Sequence, residues 1–391
     1  MQTRQKTRIA INGRFLSRST TGVERYSREI LEQLDALAGR RSDLDIVLYA
    51  PPLGDRRPEL CNIRVVEKGI LRGHAWEQVE LPLLSRGRIL FCPANTAPLL
   101  SLWGGQPVVA CVHDLSYRYF TNAYRWRFRA AYNVIVPSIL RRADAVITVS
   151  ESERRAILDY FPRVAPRLVA IQNGGAPAAA ATAIASSPKP EAPYVLYVGS
   201  LSKRKNIDTI MEVATRLARR FGTRFVAIGG TAGGLSPFDW QPPADVAHLI
   251  EFVGQLDDTD RLMDYYRGAS CFLFPSFYES SPLPPIEAMA CGCPVVASAT
   301  PALMERCGDA ALYCNPSNPD DVEAQVVRVL TDKDLAARLR TAGFTQASHY
   351  GWDKAAQQTL DVIERVVGRS VVLPAAAPKA IAASKAERPS P

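Results

Sequence analysis

Residues 194–230 read YVLYVGSLSKRKNIDTIMEVATRLARRFGTRFVAIGG, and the pattern inside them decides the fold. The run 194–198 is short and apolar on both faces, as a strand buried in a parallel sheet must be. Residues 206–221 repeat apolar side chains with the helical period, and 224–228 form a second buried run. The rhythm continues with strands near 250–253 and at 271–274, a helix at 285–291 and a strand at 294–297. The first half shows the same alternation, with strands at 8–12, 45–50, 89–92, 108–112 and 145–149 and a helix at 22–37. Alternating strand and helix mean a doubly wound α/β domain, here met twice.

Between the halves, residues 176–193 (APAAAATAIASSPKPEAP) have no apolar period and read as a linker. The expected organisation is therefore α/β with two Rossmann-like domains, 1–175 and 194–352, facing across a cleft. A helical stretch follows the second domain, and the Ala/Pro/Lys-rich tail 371–391 reads as disordered. Ligands of such domains bind outside the carboxyl ends of the strands.

Composition narrows the function classes. A chain of 391 residues, 47% hydrophobic and 22% charged, is neither collagen-like nor a coiled coil. No apolar run reaches the roughly 18 residues of a membrane span, and no signal-peptide h-region is seen, so a cytoplasmic protein is expected. Eight cysteines without a C-x-x-C pair read as small apolar residues, with no metal site indicated. Residues 1–175 carry 26 Lys and Arg against 16 Asp and Glu, a balance of +10, which leaves −2 for the remainder. Such asymmetry points to a polyanionic partner or surface.

Chemistry is densest in 274–298, FPSFYESSPLPPIEAMACGCPVVAS. A strand runs into a loop bearing Glu279, and a helix starting at Pro285 carries Glu287 in its first turn. Carboxylates there can accept hydrogen bonds from sugar or ribose hydroxyls, and free N–H groups of the turn favour an anion. Equally, Glu287 can complement the helix dipole and Glu279 be a solvated loop acid. The loop Lys203–Lys205 follows a strand and can neutralise leaving-group charge without a metal. His113 follows the apolar strand VVACV and stands next to Asp114. Gly22 opens a helix and is either a turn glycine or a close approach to phosphate or acceptor. Between Asp114 and Asp144 there is no acidic residue, yet Arg118, Arg125, Arg127, Arg129, Arg141 and Arg142 occur among seven aromatics. That mixture suits an anionic bilayer surface, single-stranded nucleic acid, or an ordinary solvated helix face.

Six blocks in order resemble the retaining glycosyltransferases of family 4, which have the GT-B fold and include bacterial mannosyltransferases. They are STTGVERYSREILEQL, VHDLSYRYF with RRADAVITVSESERRAIL, QNGG, YVGSLSKRKNIDTIMEVATRL, FVGQLDDTDRLMDYYRGASCFLFPSFYE with its E-x7-E, and GWDKAAQQTL. The resemblance implies that Lys205 and Arg204 contact the diphosphate of a nucleotide sugar and that Glu287 holds the ribose. Glu279 would hold the transferred sugar, and Val253 and Leu256 would frame the base. Gly199, Ser280, Ser281 and Leu283 would complete the donor site. His113 would be the active-site histidine, Gly22 would face the acceptor, and the helix at 353–370 would return to the first domain. No metal or other cofactor is implied, and no nucleic acid. The partners implied are a nucleotide diphosphate sugar, GDP-mannose first, and a glycan acceptor, lipid-linked in exopolysaccharide or O-antigen assembly. Peripheral attachment to the inner face of the cytoplasmic membrane would then explain the basic first half.

Two departures stand out. The family's E-G-F-G-L is here Glu279-Ser280-Ser281-Pro282-Leu283, and Pro282 has no N–H to offer. Ser200 also follows Gly199 where many members place an arginine. The rival readings are a nucleotide-sugar epimerase of the same fold and a bilobal sugar-binding protein without catalysis. A dinucleotide oxidoreductase is excluded, because neither half has G-x-G-x-x-G after its first strand.

Overall fold

The computed structural model describes residues 6–18, 21–119, 126–175, 193–230, 240–256 and 258–368. The linker expected at 176–193 lies outside them except for Pro193, as do Arg125 and the tail from 371. Contacts divide the chain into two compact units. One holds the residues up to Ile147, then Ile157–Val169 and the chain from Ala356; the other holds Thr148–Ala156 and Ala170–Ala355.

The first unit is built on seven strands: β1 (Thr7–Asn12), β2 (Leu44–Ala50), β3 (Arg64–Glu67), β4 (Ile89–Cys92), β5 (Val108–Cys111), β6 (Ala145–Thr148) and β7 (Leu168–Ala170). Their order is β3-β2-β1-β4-β5-β6-β7, with parallel pairing from β3 through β6. Helix α1 (Gly22–Arg40) buries Tyr26, Ile30, Leu31 and Leu34, and Thr21 and Glu24 close a capping box at its start. Helix α2 (Trp126–Arg142) buries Tyr132, Ile135, Val136, Ile139 and Leu140. The Arg167 guanidinium donates to the carbonyls of Leu140, Arg141 and Ala143, placing a cation where the α2 dipole is negative. The last helix, Trp352–Val366, joins this unit through Glu364, whose carboxylate accepts from Arg41 at 2.7 Å, and through a Tyr26–Thr359 hydrogen bond.

Among the described residues the second unit has six strands: β8 (Tyr194–Val198), β9 (Arg224–Ile228), β10 (Ile250–Gly254), β11 (Cys271–Phe274), β12 (Val295–Ser298) and β13 (Ala311–Cys314). All pair in parallel, in the order β10-β9-β8-β11-β12-β13. Helix α3 (Glu151–Tyr160) begins in this unit, because Glu305 accepts the N–H groups of Glu151 and Ser152 at 2.8 Å each. Helices α4 (Ile207–Phe221), α5 (Thr259–Gly268), α6 (Pro284–Ala290) and α7 (Pro301–Cys307) follow. In each unit the strand order reverses once, between β1 and β4 and between β8 and β11. Those are the points at which doubly wound sheets open a crevice for ligand.

Two expectations from sequence need correction. Tyr117 and Tyr132, counted among the interleaved aromatics of 114–144, are core residues 5.7 Å apart, and Phe128 stacks on Tyr132 at 3.9 Å. Of that stretch's described aromatics, Trp126 stays largely exposed, with Arg127 over its ring. Of the eight cysteines, seven are buried but Cys61 is exposed. Burial pushes the thiols of Cys111, Cys291, Cys307 and Cys314 up to about 12.

Gly229, just past β9, sits at φ +138°, and a Cβ there would lie 2.0 Å from the Gly199 carbonyl oxygen. Gly222, at the end of α4, has φ +62° but open space around it. Gly222→Ala should therefore cost only the backbone strain, about 1 kcal/mol, whereas Gly229→Ala must also push β8 and β9 apart and should cost roughly 3 kcal/mol or more. Urea denaturation of the two variants, compared by midpoint at unchanged slope, checks the difference.

Candidate active site

The strand-order reversal of the second unit brings two loops together. One follows β8 and contains Gly199 to Asn206; the other follows β11 and contains Pro275 to Leu283. Asn206 adopts a left-handed conformation, φ +63°, and its side-chain amide donates to the carbonyls of Pro275 at 3.1 Å and Pro316 at 2.6 Å. The Phe277 N–H bonds the Arg204 carbonyl at 3.1 Å, tying one loop to the other. Lys205 Nζ then meets Glu279 Oε1 at 2.5 Å and lies 4.8 Å above the Phe274 ring. Arg204 approaches Glu279 Oε2 at 3.8 Å and donates to the Tyr278 carbonyl at 3.2 Å. Burial draws the Lys205 ammonium below its ordinary pKa; Glu279 opposes that shift, and Arg204 adds to it. Lys203 does not join them: it is exposed and pairs with Asp208 at 2.6 Å.

Glu287 is buried, and its Oε2 accepts from the Tyr266 hydroxyl at 3.2 Å. The helix bearing it starts one residue earlier than expected, at Pro284, and its first turn has no free donors. Pro284 and Pro285 lack an N–H, and those of Ile286 and Glu287 are both taken by the Leu283 carbonyl at 3.0 and 3.1 Å. An anion at this helix start is therefore not what the geometry offers. Val253 and Leu256 are half-buried against the second unit's core at the exposed sheet edge. Ser200 turns its carbonyl to the Tyr197 hydroxyl at 2.8 Å.

Sequence reasoning missed Arg306. It is 1% exposed and has no carboxylate within ion-pair distance among the described residues. Its guanidinium instead donates to the carbonyls of Pro282 (2.7 Å), Asn173 (3.0 Å) and Gly174 (2.5 Å), and it stacks 4.4 Å above the Tyr350 ring. Burial pulls its pKa down to about 10. Residues 173–174 close the gap from the other side: a Cβ on Gly174 would fall 2.3 Å from the Trp352 ring. Arg306 thus pins the loop after Glu279 to the QNGG segment.

In the first unit, His113 lies after β5, as expected, but its ring is buried. Nε2–H donates to the Pro93 carbonyl at 2.8 Å, the backbone N–H donates to Asn95 Oδ1 at 2.6 Å, and Tyr26 packs edge-on at 4.6 Å. Burial lowers its pKa, so the neutral ring keeps Nδ1 as an acceptor. Gly22 is exposed, with nothing within 4 Å of a Cβ built on it. In the first turn of the helix it opens, Glu24 pairs with Arg18 at 3.2 Å.

A second buried charge group lies at the β1/β4 reversal and was also missed. Glu77, in a π-helical turn (Trp76–Glu80), is fully buried, and its Oε1 accepts from Asn12 at 2.6 Å, Thr96 at 2.7 Å and Arg14 at 3.1 Å. His74 approaches its Oε2 at 3.3 Å. Burial alone would raise the carboxyl, but Arg14, His74, Thr96 and Asn12 outweigh it and hold the pKa at about 2. Nothing in the sequence pairs residues 12, 14, 77 and 96, which only the fold brings together.

The first half of the chain, residues 20–175, matches the family model Glycosyltransferase Family 4, and residues 181–346 match Glycosyl transferases group 1. The chain belongs to the glycosyltransferases of family 4. O-antigen chain mannosyltransferase B of Escherichia coli is 27% identical over 373 residues, 87% of this chain and 95% of that one. Matches to D-inositol 3-phosphate glycosyltransferases span about half of those chains. Sucrose-phosphate synthase from Thermosynechococcus elongatus superposes with TM-score 0.70 at 22% identity, covering 93% of this chain and 100% of that one. Anabaena HepE, solved with UDP-glucose, gives TM-score 0.67 at 14% identity, with 91% and 99% covered. The enzyme thus has two Rossmann-like units of the GT-B type.

The Glu77 cluster makes a pH prediction. Its carboxyl is near 2 folded and near 4.3 unfolded, so its stabilisation is fully present above about pH 4.3 and is lost as pH falls towards 2. Glu77→Gln should be about 3 kcal/mol less stable than wild type at pH 7, and the gap should close between pH 4.3 and 2. Denaturant titrations at four pH values read this directly. A gap independent of pH would mean that Glu77 is not held as a carboxylate.

Proposed function

We propose that this glycosyltransferase moves mannose from GDP-mannose, with retention of configuration, to a lipid-linked glycan in O-antigen or exopolysaccharide assembly. The observation that carries the donor side is the convergence of Lys205, Arg204 and Glu279 at the strand-order reversal of the second unit. Two cations there can take the charge of a departing diphosphate, which supports a reaction without a metal ion. Glu279 binds hydroxyls of the transferred sugar, and Glu287, oriented by Tyr266, holds the ribose. Gly199, Ser280, Ser281 and Leu283 line the donor, and Val253 and Leu256 frame the base. His113 serves the acceptor side through Nδ1. The sugar–phosphate bond breaks as the acceptor oxygen bonds the anomeric carbon on the same face, and the departing phosphate oxygen takes the acceptor proton. Positioning and electrostatics then supply the catalysis. The mannose assignment is supported by the relative of matching length, an O-antigen mannosyltransferase. The basic first half supports an acceptor at an anionic membrane on the cytoplasmic side, and among the described residues no helix is long and apolar enough to cross one.

A thermal-shift panel of nucleotide sugars tests the donor. The correct one at 100 times its dissociation constant adds about 2.7 kcal/mol of stability, and GDP-mannose should give the largest shift. Glu287→Ala should weaken GDP and GDP-mannose alike, whereas Lys205→Ala should lower kcat about 100-fold or more. Turnover should survive EDTA; abolition by EDTA with rescue by magnesium would contradict the metal-free reading.

A further inference from the structure

Glu77 spends only one of its two oxygens on the buried cluster at the β1/β4 reversal. Oε1 takes the bonds from Asn12, Thr96 and Arg14, while Oε2 is left for the ring of His74 at 3.3 Å. The two ends of that last contact differ: Glu77 is fully buried, whereas the His74 side chain is 43% exposed. The segment that carries them is firmly held. The Trp76 indole N–H donates to the Lys68 carbonyl at 2.8 Å, and Glu80 accepts the N–H groups of Ile70 and Leu71 at 3.1 and 3.3 Å. The Gln78 side chain bonds the Ala97 carbonyl and the Leu99 N–H. The turn Trp76–Glu80 is π-helical, an irregularity that is often found at functional sites.

The carboxylate dictates which nitrogen of the ring carries the proton. Glu77, held at about 2, is ionised at neutral pH and can only accept, so His74 Nδ1 bears the hydrogen. Nε2 then keeps its lone pair, and no partner meets it among the described residues. A ring fixed from behind in this way offers solvent a single acceptor, whose complement is an O–H or N–H donor. Position narrows the donor. His74 follows β3, Thr96 follows β4 and His113 follows β5, all at the carboxyl edge of the parallel sheet. The segment Pro93–Thr96 links the two histidines. His113 donates to the Pro93 carbonyl and to Asn95 Oδ1, and Thr96 donates to Glu77 behind His74. Asn95 between them sits at φ +56°, a strained conformation for a residue with a side chain. Groups at this edge, beside the strand-order reversal, face the ligand of a doubly wound domain.

We propose that His74, oriented by Glu77, binds a hydroxyl of the glycan acceptor through Nε2. This rests on the glycosyl-transfer reading above and gives the acceptor a second contact besides His113. The proton of the reacting hydroxyl still leaves with the departing phosphate, so His74 sets where the acceptor lies and takes no proton from it.

The test uses the full chain, with GDP-mannose and UDP-glucose as donors. Octyl glycosides of mannose, glucose, galactose and N-acetylglucosamine serve as acceptor probes. His74→Ala should raise the KM of the accepted glycoside about five- to tenfold, as loss of one hydrogen bond does. Donor affinity by titration calorimetry should stay unchanged. The melting temperature should stay within about 2 °C of wild type, because Oε1 of Glu77 keeps its partners. His74→Gln, whose side-chain oxygen can reach the place of Nε2, should recover most of the loss. One monodeoxy analogue of the accepted glycoside should show the same KM with wild type and with His74→Ala. An unchanged acceptor KM in His74→Ala would overturn the proposal. So would a donor affinity that falls alongside, or a melting temperature several degrees lower, either of which makes His74 a structural residue. A wild type that transfers to none of these glycosides fails the transfer reading itself, and this proposal with it.

Discussion

The Lys205–Glu279 ion pair is the contact around which the second unit's loops are arranged. Both groups are withdrawn from water; removing Glu279 leaves Lys205 as an uncompensated buried charge, and removing Lys205 leaves Glu279 with only the longer Arg204 contact at 3.8 Å. Such a pair is a poor source of stability but a strict constraint on geometry. It is tolerated here because Asn206, in its left-handed turn, and the Phe277–Arg204 backbone bond have already fixed where both loops lie. In the donor reading, the pair is also a preformed charge balance. A diphosphate would draw Lys205 while sugar hydroxyls replace the ammonium at Glu279, so neither ion need be stranded when ligand arrives.

How much of this could be read in the sequence depends on how local the signal is. The central strands were visible because a strand buried on both faces must be apolar throughout, as 108–111 and 271–274 are. The strands not foreseen, β3, β7 and β13, are all sheet edges, three or four residues long and partly exposed, so their composition says little. Start and end of α6 were nearly right, yet the reading of its first turn as an anion site failed on local detail. Two consecutive prolines and a shared carbonyl consume the donors that such a turn normally leaves open.

The charged residues divide in the same way. Lys205, Glu279 and Glu287 were found because they sit in recognisable blocks, and their mutual placement came from the resemblance rather than from spacing. Arg14 and Glu77 are 63 residues apart and fall in no block, so only the parallel order of β1 and β4 brings them together. Arg306 is harder still, because three of its partners are backbone carbonyls, which every residue has. The aromatic and basic stretch 114–144 shows the opposite error: composition overstated exposure, and helix α2 folds Tyr132 and Phe128 inward.

The distribution of thiols has a practical corollary. With seven cysteines enclosed and those in the core held protonated at neutral pH, Cys61 is the one sulfur that a maleimide dye can reach in the native protein. The natural chain can thus carry a single fluorophore without engineering. The enclosed seven become a built-in stopwatch: each opening of either unit exposes fresh thiols, and counting alkyl groups by mass after a short pulse tells which unit opened and how often.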